Sequence, residues 1–316
     1  MKVFVGVDVG KVSLDVYFNN NHSKIDNNTD GFKILETKIR DVSQNNSDFV
    51  MVCEASGGYE KDLLSFFNSK GYGTHIAHAN KVKAFARSKG YMAKTDKIDS
   101  QIIHEYATTM NVSNDKFQLS KDELSIKQLI VRREQLRSHR QQEKTRLDKC
   151  NNPTIVESVQ NLIKFLDKEI LSLEKWLNAK QESCNEVHQK VELLSSIPAV
   201  GQLTAQYVIA YLPELGCVPD KVLASLVGVA PYCRDSGKHS GNRFIQGGRQ
   251  RLRNQLYMVA VCGVRHNSVL RNFYTRLRAN GKPAKVALVA VIRKLLSILN
   301  SVIQRNSVWE ERPILA

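Results

Sequence analysis

The sequence lacks the cysteine pattern of a disulfide scaffold or a zinc module. Its six cysteines, Cys53, Cys150, Cys184, Cys217, Cys233 and Cys262, are scattered and form no C-x-x-C pair. That usage fits a reduced compartment. Long hydrophobic runs are missing too. No stretch approaches about 18 uncharged apolar residues, so no membrane span is expected. The N-terminal MKVFVGVDVGK meets Asp8 and Lys11 too early to act as a secretory leader. A third scarcity is of acid. From Pro231 to Asn300 there are 14 Lys and Arg but a single acid, Asp235, so this stretch carries +13 of the chain's net +15. A balance so one-sided points to a polyanionic partner.

With 316 residues the chain can bury a core and is expected to form two or three units. Residues 1–110 hold 14 basic and 13 acidic residues and are nearly neutral. Val3, Val5, Val7 and Val9 alternate with Phe4, Gly6 and Asp8, a pattern for a buried strand. Leu14, Val16 and Phe18 continue as a hairpin partner, with a third strand near His22–Asp26. A helix over Phe32–Val42, a buried strand FVMVC over Phe49–Cys53, a helix over Tyr59–Asn68, a strand over Thr74–Ala77 and helices over Lys81–Ser88 and Asp96–Thr109 follow. A hairpin followed by alternating strands and helices implies an α/β layer with a mixed sheet.

Four carboxylates stand out in this part. Asp8 lies inside an apolar strand, where a lone charge is costly. Glu54 ends the next buried strand. Asp96 and Asp99 share one face at a helix start. Together they offer the oxygen ligands a hard cation takes, and two ions roughly 3.5–4 Å apart would clamp both oxygens of a phosphoryl transfer. Taken singly, Asp96 also reads as a helix-dipole residue and Glu54 as a strand-end charge.

The blocks V-G-V-D-V-G-K-x-S-L-D-V (Val5–Val16), C-E-A-S-G-G-Y (Cys53–Tyr59) and K-T-D-K-I-D-S (Lys94–Ser100) resemble those of the DEDD insertion-sequence transposases and the related Piv-type DNA invertases. That resemblance implies a RuvC-like domain of the ribonuclease-H fold over residues 1–110. In it Asp8, Glu54, Asp96 and Asp99 match the family's metal-binding D, E, D, D and would hold Mg2+.

Asn111–Ser120 reads as a polar linker. Over residues 121–190 two long helices are broken by Asn151-Asn152-Pro153. Leu124, Ile130, Leu136 and Leu147 on one, and Leu162, Phe165, Leu166, Ile170, Leu173, Trp176 and Leu177 on the other, predict a helical hairpin or coiled coil. It serves as a solvated spacer or as a dimerisation arm with a basic face for nucleic acid, and the arm is the favoured reading.

Residues 191–305 read as an all-α domain. Ile197–Gly201 turns between two helices and resembles a helix–hairpin–helix, whose second N-terminus suits a DNA phosphate; a plain helical turn is the alternative. Short helices follow over Leu223–Val229 and Ser268–Leu277, with a long one over Lys285–Ile303. The tail, Asn306–Ala316, is expected to be poorly ordered.

The stretch G-V-A-P-Y-C-R-D-S-G-K, followed by R-F-I-Q-G-G-R-Q-R-L-R-N-Q-L-Y (Arg243–Tyr257), resembles the C-terminal transposase domain of the same family. The family's serine nucleophile falls in the first S-G pair, Ser236, with Ser240 the runner-up. Lys238 and His239 stand where the family more often has a small residue. A serine hydroxyl needs a base or metal to activate it. His239 is either that base or a phosphate contact, and the four carboxylates with their metal are the better activator. Arg234, Lys238, Arg243, Arg249, Arg251 and Arg253 would neutralise phosphates, although Arg249, Arg251 and Arg253 also read as a solvated helix face. The resemblance implies Mg2+-dependent strand cleavage and exchange through a phosphoserine link. It also implies donor and target DNA, a structured noncoding guide RNA, a homodimer pairing to a tetramer, and a cytoplasmic, nucleoid-associated location without a membrane. A Piv-type invertase, a hydrolytic junction nuclease that does not need Ser236, and a non-catalytic nucleic-acid-binding protein are the alternatives.

Overall fold

The computed structural model describes residues 2–42, 49–93, 95–112, 120–233, 235, 241 and 243–311. The chain divides into two compact units, Met1–Lys116 and Phe117–Ala316.

In the first unit the elements run β1 (Val3–Val9), β2 (Ser13–Phe18), β3 (Asn21–Asp26), α1 (Thr29–Arg40), β4 (Phe49–Glu54), α2 (Lys61–Ser69), β5 (Gly73–Ala77), α3 (Ala79–Ser88) and α4 (Asp96–Met110). The sheet order is β3-β2-β1-β4-β5. β1 pairs antiparallel with β2 and parallel with β4, so the sheet is mixed. The period-2 alternation of β1 and β4 sends side chains to two opposite cores. Val5, Val7, Val9, Met51 and Cys53 meet Phe32, Leu35 and Ile39 of α1 and Leu63 and Phe67 of α2. Phe4, Val50 and Val52 meet Val82 and Phe85 of α3 and Ile102, Ile103 and Tyr106 of α4. Helices therefore cover both faces, consistent with the RuvC-like layer that the resemblance implies.

The second unit contains α5 (Lys121–Leu147), α6 (Pro153–Glu182), α7 (Asn185–Ser195), α8 (Gln202–Tyr211), α9 (Asp220–Val227), α10 (Gln250–His266), α11 (Ser268–Ala279) and α12 (Ala284–Arg305). Ser120 and Glu123 form a capping box that starts α5. Pro153 opens α6, where its missing N–H costs nothing. The two helices run antiparallel, joined by ion pairs Lys180–Asp122, Arg133–Glu174 and Arg140–Asp167. Their seam differs from the expected one. Leu136 packs with Leu166, Ile170 and Leu173, and Ile126, Ile130 and Leu177 join the main core of the unit. Leu162, Phe165 and Trp176 instead lie exposed, because α6 is apolar over a wider arc than α5 covers.

One further expectation is corrected. The tail is anchored at Trp309, which packs on the core and whose backbone N–H donates to Ser196 Oγ at 2.8 Å. Residues 312–316 lie outside the described residues. Among the described residues α12 is long and apolar enough to cross a membrane, but more than half of its apolar stretch is buried. Ala287, Val291, Leu295, Leu296 and Leu299 make it a central core helix.

Candidate catalytic site

Asp8 lies on β1 and Glu54 ends β4. The parallel register pairs Val7 with Cys53, and one further step sets Asp8 beside Glu54, on strands about 4.8 Å apart. Both share the sheet face of Phe4, Val50 and Val52, the face that α4 covers. Both are half-buried.

Gly6 lets α4 lie on that face. A Cβ there would stand 2.4 Å from Ser100 O and 2.5 Å from His104 N, so only glycine admits the helix backbone. His104 Nδ1 is 2.8 Å from Phe4 O. These contacts run α4 antiparallel to β1. Four residues back from Ser100, at ~1.5 Å each, match two residues forward from Gly6, at ~3.3 Å each. The N-terminal part of α4, which carries Asp96 and Asp99, therefore lies toward the Asp8 end of β1. Thr95 caps the helix, its Oγ1 accepting from Ile98 N at 3.2 Å. Asp96, exposed, and Asp99, half-buried, occupy the first turn, where the helix dipole favours negative charge. The approach to this turn is tethered by Tyr91, whose hydroxyl donates to Glu105 of α4 at 2.7 Å. That bond pushes the Tyr91 pKa up to about 12.

The four carboxylates are thus aligned at one end of the sheet. Among the described residues, no three His, Cys, Asp or Glu side chains converge closely enough to grip an ion. The donor set is nevertheless all oxygen, which fits a hard divalent cation and not a soft one.

Two residues that the sequence did not flag organise the surrounding loops. Glu60 accepts from Ser56 N, Ser56 Oγ and Gly58 N at 3.1, 2.7 and 2.9 Å. Burial works to raise its pKa, but these hydrogen bonds outweigh it and hold Glu60 below the usual carboxylate value. The loop after Glu54 is thereby fixed. Asn27 Nδ2 donates to Gly10 O at 2.9 Å and to Tyr59 O at 3.2 Å. It ties the turn after β1 to the loop after β4. S-G-G-Y-E followed by a helix was the available signal for Glu60, since glycine-rich turns need a local acceptor. Nothing local marked Asn27.

In the second unit Ser236, Ser240, Arg234, Lys238 and His239 lie outside the described residues. The base of their segment is pinned. Tyr232 N donates to Phe244 O at 2.8 Å and Phe244 N to Tyr232 O at 3.2 Å. Asp235 accepts from Arg243 Nη1 at 2.7 Å and Gly241 N at 3.0 Å. The arginines of the following stretch separate into two kinds. Arg249 makes two 2.6 Å bonds to the Glu214 carboxylate, and Arg253 Nη1 donates to Gly247 O at 2.5 Å and Gly228 O at 3.2 Å. These two hold a crossing of glycines, Gly228 and Gly248, in which a Cβ on Gly248 would meet Gly228 N at 2.2 Å. Arg243 and Arg251 keep about half of their side chains exposed, the latter beside Glu134. A hydrogen bond to the Tyr211 hydroxyl raises the Arg251 pKa.

Comparison with known proteins places these features in a family. A DEDD transposase profile of the IS110 type matches residues 5–150, and a profile described as "Transposase IS116/IS110/IS902 family" matches residues 191–275. The pilin gene-inverting protein of Moraxella lacunata is 26% identical over 98% of both chains, as is that of Moraxella bovis. An insertion element IS110 protein of 43.6 kDa from Streptomyces coelicolor is 27% identical over 50% of this chain and 38% of its own length. The DEDD domain implies dependence on a divalent metal. The chain belongs to the IS110/IS116/IS902 transposase family, a DEDD-type group of enzymes acting on DNA.

Proposed function

We propose that this protein cuts and exchanges DNA strands at the ends of a mobile element through a covalent phosphoserine intermediate. Ser236 Oγ attacks the scissile phosphorus; the Oγ–P bond forms, the P–O3′ bond breaks, and the 3′ oxygen leaves. The serine proton passes to a nearby base or to water, and the leaving oxygen gains one. Attack by a different 3′ hydroxyl reverses the step and releases the serine, so rejoining needs no high-energy cofactor. Asp8, Glu54, Asp96 and Asp99 would hold Mg2+. Mg2+ bound there would supply Lewis-acid stabilisation of charge on the phosphate and leaving oxygen. Arg243 and Arg251, with Arg234 and Lys238, bind backbone phosphates. The partners are donor and target DNA and a structured noncoding RNA from the element, in a dimer that pairs to a tetramer in the cytoplasm at the nucleoid.

The observation that supports this reading is the β1–β4 register, which sets Asp8 beside Glu54 on the sheet face that α4 covers. The experiment is a denaturing gel of labelled donor DNA with protein, RNA and Mg2+. A protein–DNA adduct lost only in Ser236→Ala supports the assignment. Loss only in Ser240→Ala moves the nucleophile. Cleavage without adduct indicates a hydrolytic nuclease.

Site-specific inversion is a second reading. It is favoured by similarity to the pilin gene-inverting proteins over 98% of both chains, against about half of this chain for the insertion-element protein. A plasmid carrying two inverted recombination sites distinguishes the two by whether the intervening segment flips or is lost.

A further inference from the structure

Asp15 is a fifth carboxylate beside the four. It lies on β2 directly opposite Asp8 in the antiparallel ladder. Opposed residues project to the same side of a sheet, with Cβ atoms about 4.5–5.5 Å apart. This is the side that α4 covers, for Tyr17, two residues further along β2, meets the His104 ring at 5.3 Å. Only 7% of Asp15 is exposed. A buried carboxylate needs partners, and β3 supplies them. His22 Nε2 stands 2.8 Å from Oδ1, and Lys24 Nζ stands 3.7 Å from Oδ2. Both oxygens are engaged from the side away from β1.

Like charges directly opposite one another weaken a strand pair. The fold nevertheless places this pair in the central ladder and anchors the outer member. We propose that Asp15 is a positioning residue for the divalent cation, drawing the ion to Asp8 by its charge without ligating it. The inference rests on the reading of Asp8 as a cation ligand. His22 and Lys24 keep the Asp15 carboxylate from swinging forward into the coordination shell, and its negative charge deepens the potential in which Asp8 and Glu54 sit.

Mn2+ binding to the full chain, followed by electron paramagnetic resonance, tests this. Asp8→Asn defines the site as the binding that it abolishes. Asp15→Asn keeps the side-chain shape and an acceptor for His22. It should weaken that binding about tenfold, in the range of second-layer substitutions around metals. The metal-free melting temperature of the same variant separates a loss of binding from a loss of fold. Lys24→Gln changes a side chain that is 59% exposed. It removes the counter-charge and should tighten binding about twofold, as befits an exposed ion pair. A lower melting temperature with unchanged Mn2+ affinity in Asp15→Asn overturns the proposal and leaves Asp15 a structural residue. If Asp15→Asn fails to fold, unchanged or weaker binding in Lys24→Gln overturns it alone. Retention of Mn2+ by Asp8→Asn overturns the reading of Asp8 instead.

Discussion

Replacing Gly6 by alanine tests how α4 is held over the carboxylate-bearing strands. The new Cβ would lie 2.4 Å from Ser100 O and 2.5 Å from His104 N. Ordinary contact needs about 3.5 Å, so helix and strand must part by roughly 1 Å. Neither obstacle is the end of a flexible side chain; both are backbone atoms of the helix, and Ile102, Ile103 and Tyr106 fix it in the core below. Overpacking of this kind costs about 1–3 kcal/mol. In a unit of this size that corresponds to a fall of roughly 4–12 °C in the unfolding transition. The displacement would also carry Asp96 and Asp99 away from Asp8 and Glu54, lowering Mn2+ affinity by roughly tenfold to a hundredfold. Differential scanning calorimetry with Mn2+ titration checks both. The transition of Met1–Lys116 should shift while that of Phe117–Ala316 stays in place. A Gly6→Ala protein that melts like the unaltered one and binds Mn2+ equally would refute the close approach of α4 as the device that assembles the site.

Other outcomes follow from the same geometry. Arg249→Ala leaves Glu214, whose side chain is 12% exposed, without its bidentate partner, and should cost about 3 kcal/mol in denaturant unfolding. Arg243→Ala should change stability by less than about 0.5 kcal/mol but weaken DNA binding and lower the salt slope by about 1. Glu60 contributes stability that is fully present above its ordinary value of 4.5 and is lost as pH falls through its depressed folded pKa. Glu60→Gln should therefore flatten the acid limb of a urea-midpoint profile. Asn27→Ala removes both bonds between the turn at Gly10 and the loop at Tyr59; about 1 kcal/mol of stability should go, with faster amide exchange in the Tyr59 loop.

The sheet was legible where the pattern was local. Alternating valines in β1, the FVMVC run of β4 and the acidic pair opening α4 each mark their element from neighbouring residues. What escaped depends on partners distant in sequence. The role of Gly6 is set by Ser100 and His104, and the burial of Asp15 by its ladder with β3. Arg249 and Arg253 look like free cations until Glu214 and the carbonyls of Gly228 and Gly247 are placed against them. Helical spacing shows that α6 is apolar but not which part of its arc α5 covers, so Leu162, Phe165 and Trp176 read as seam residues and yet lie exposed. Trp309 anchors a tail whose composition carries no sign of order.

The central claim is a serine-linked intermediate, and peptide mapping of the adduct tests it most directly. The protein is trapped on labelled donor DNA, digested with nuclease and protease, and sequenced by tandem mass spectrometry. A nucleotide mass on the hydroxyl of Ser236, absent when Asp8→Asn is used, is the predicted result. Cleaved DNA with every serine of the Tyr232–Phe244 segment unmodified would contradict it.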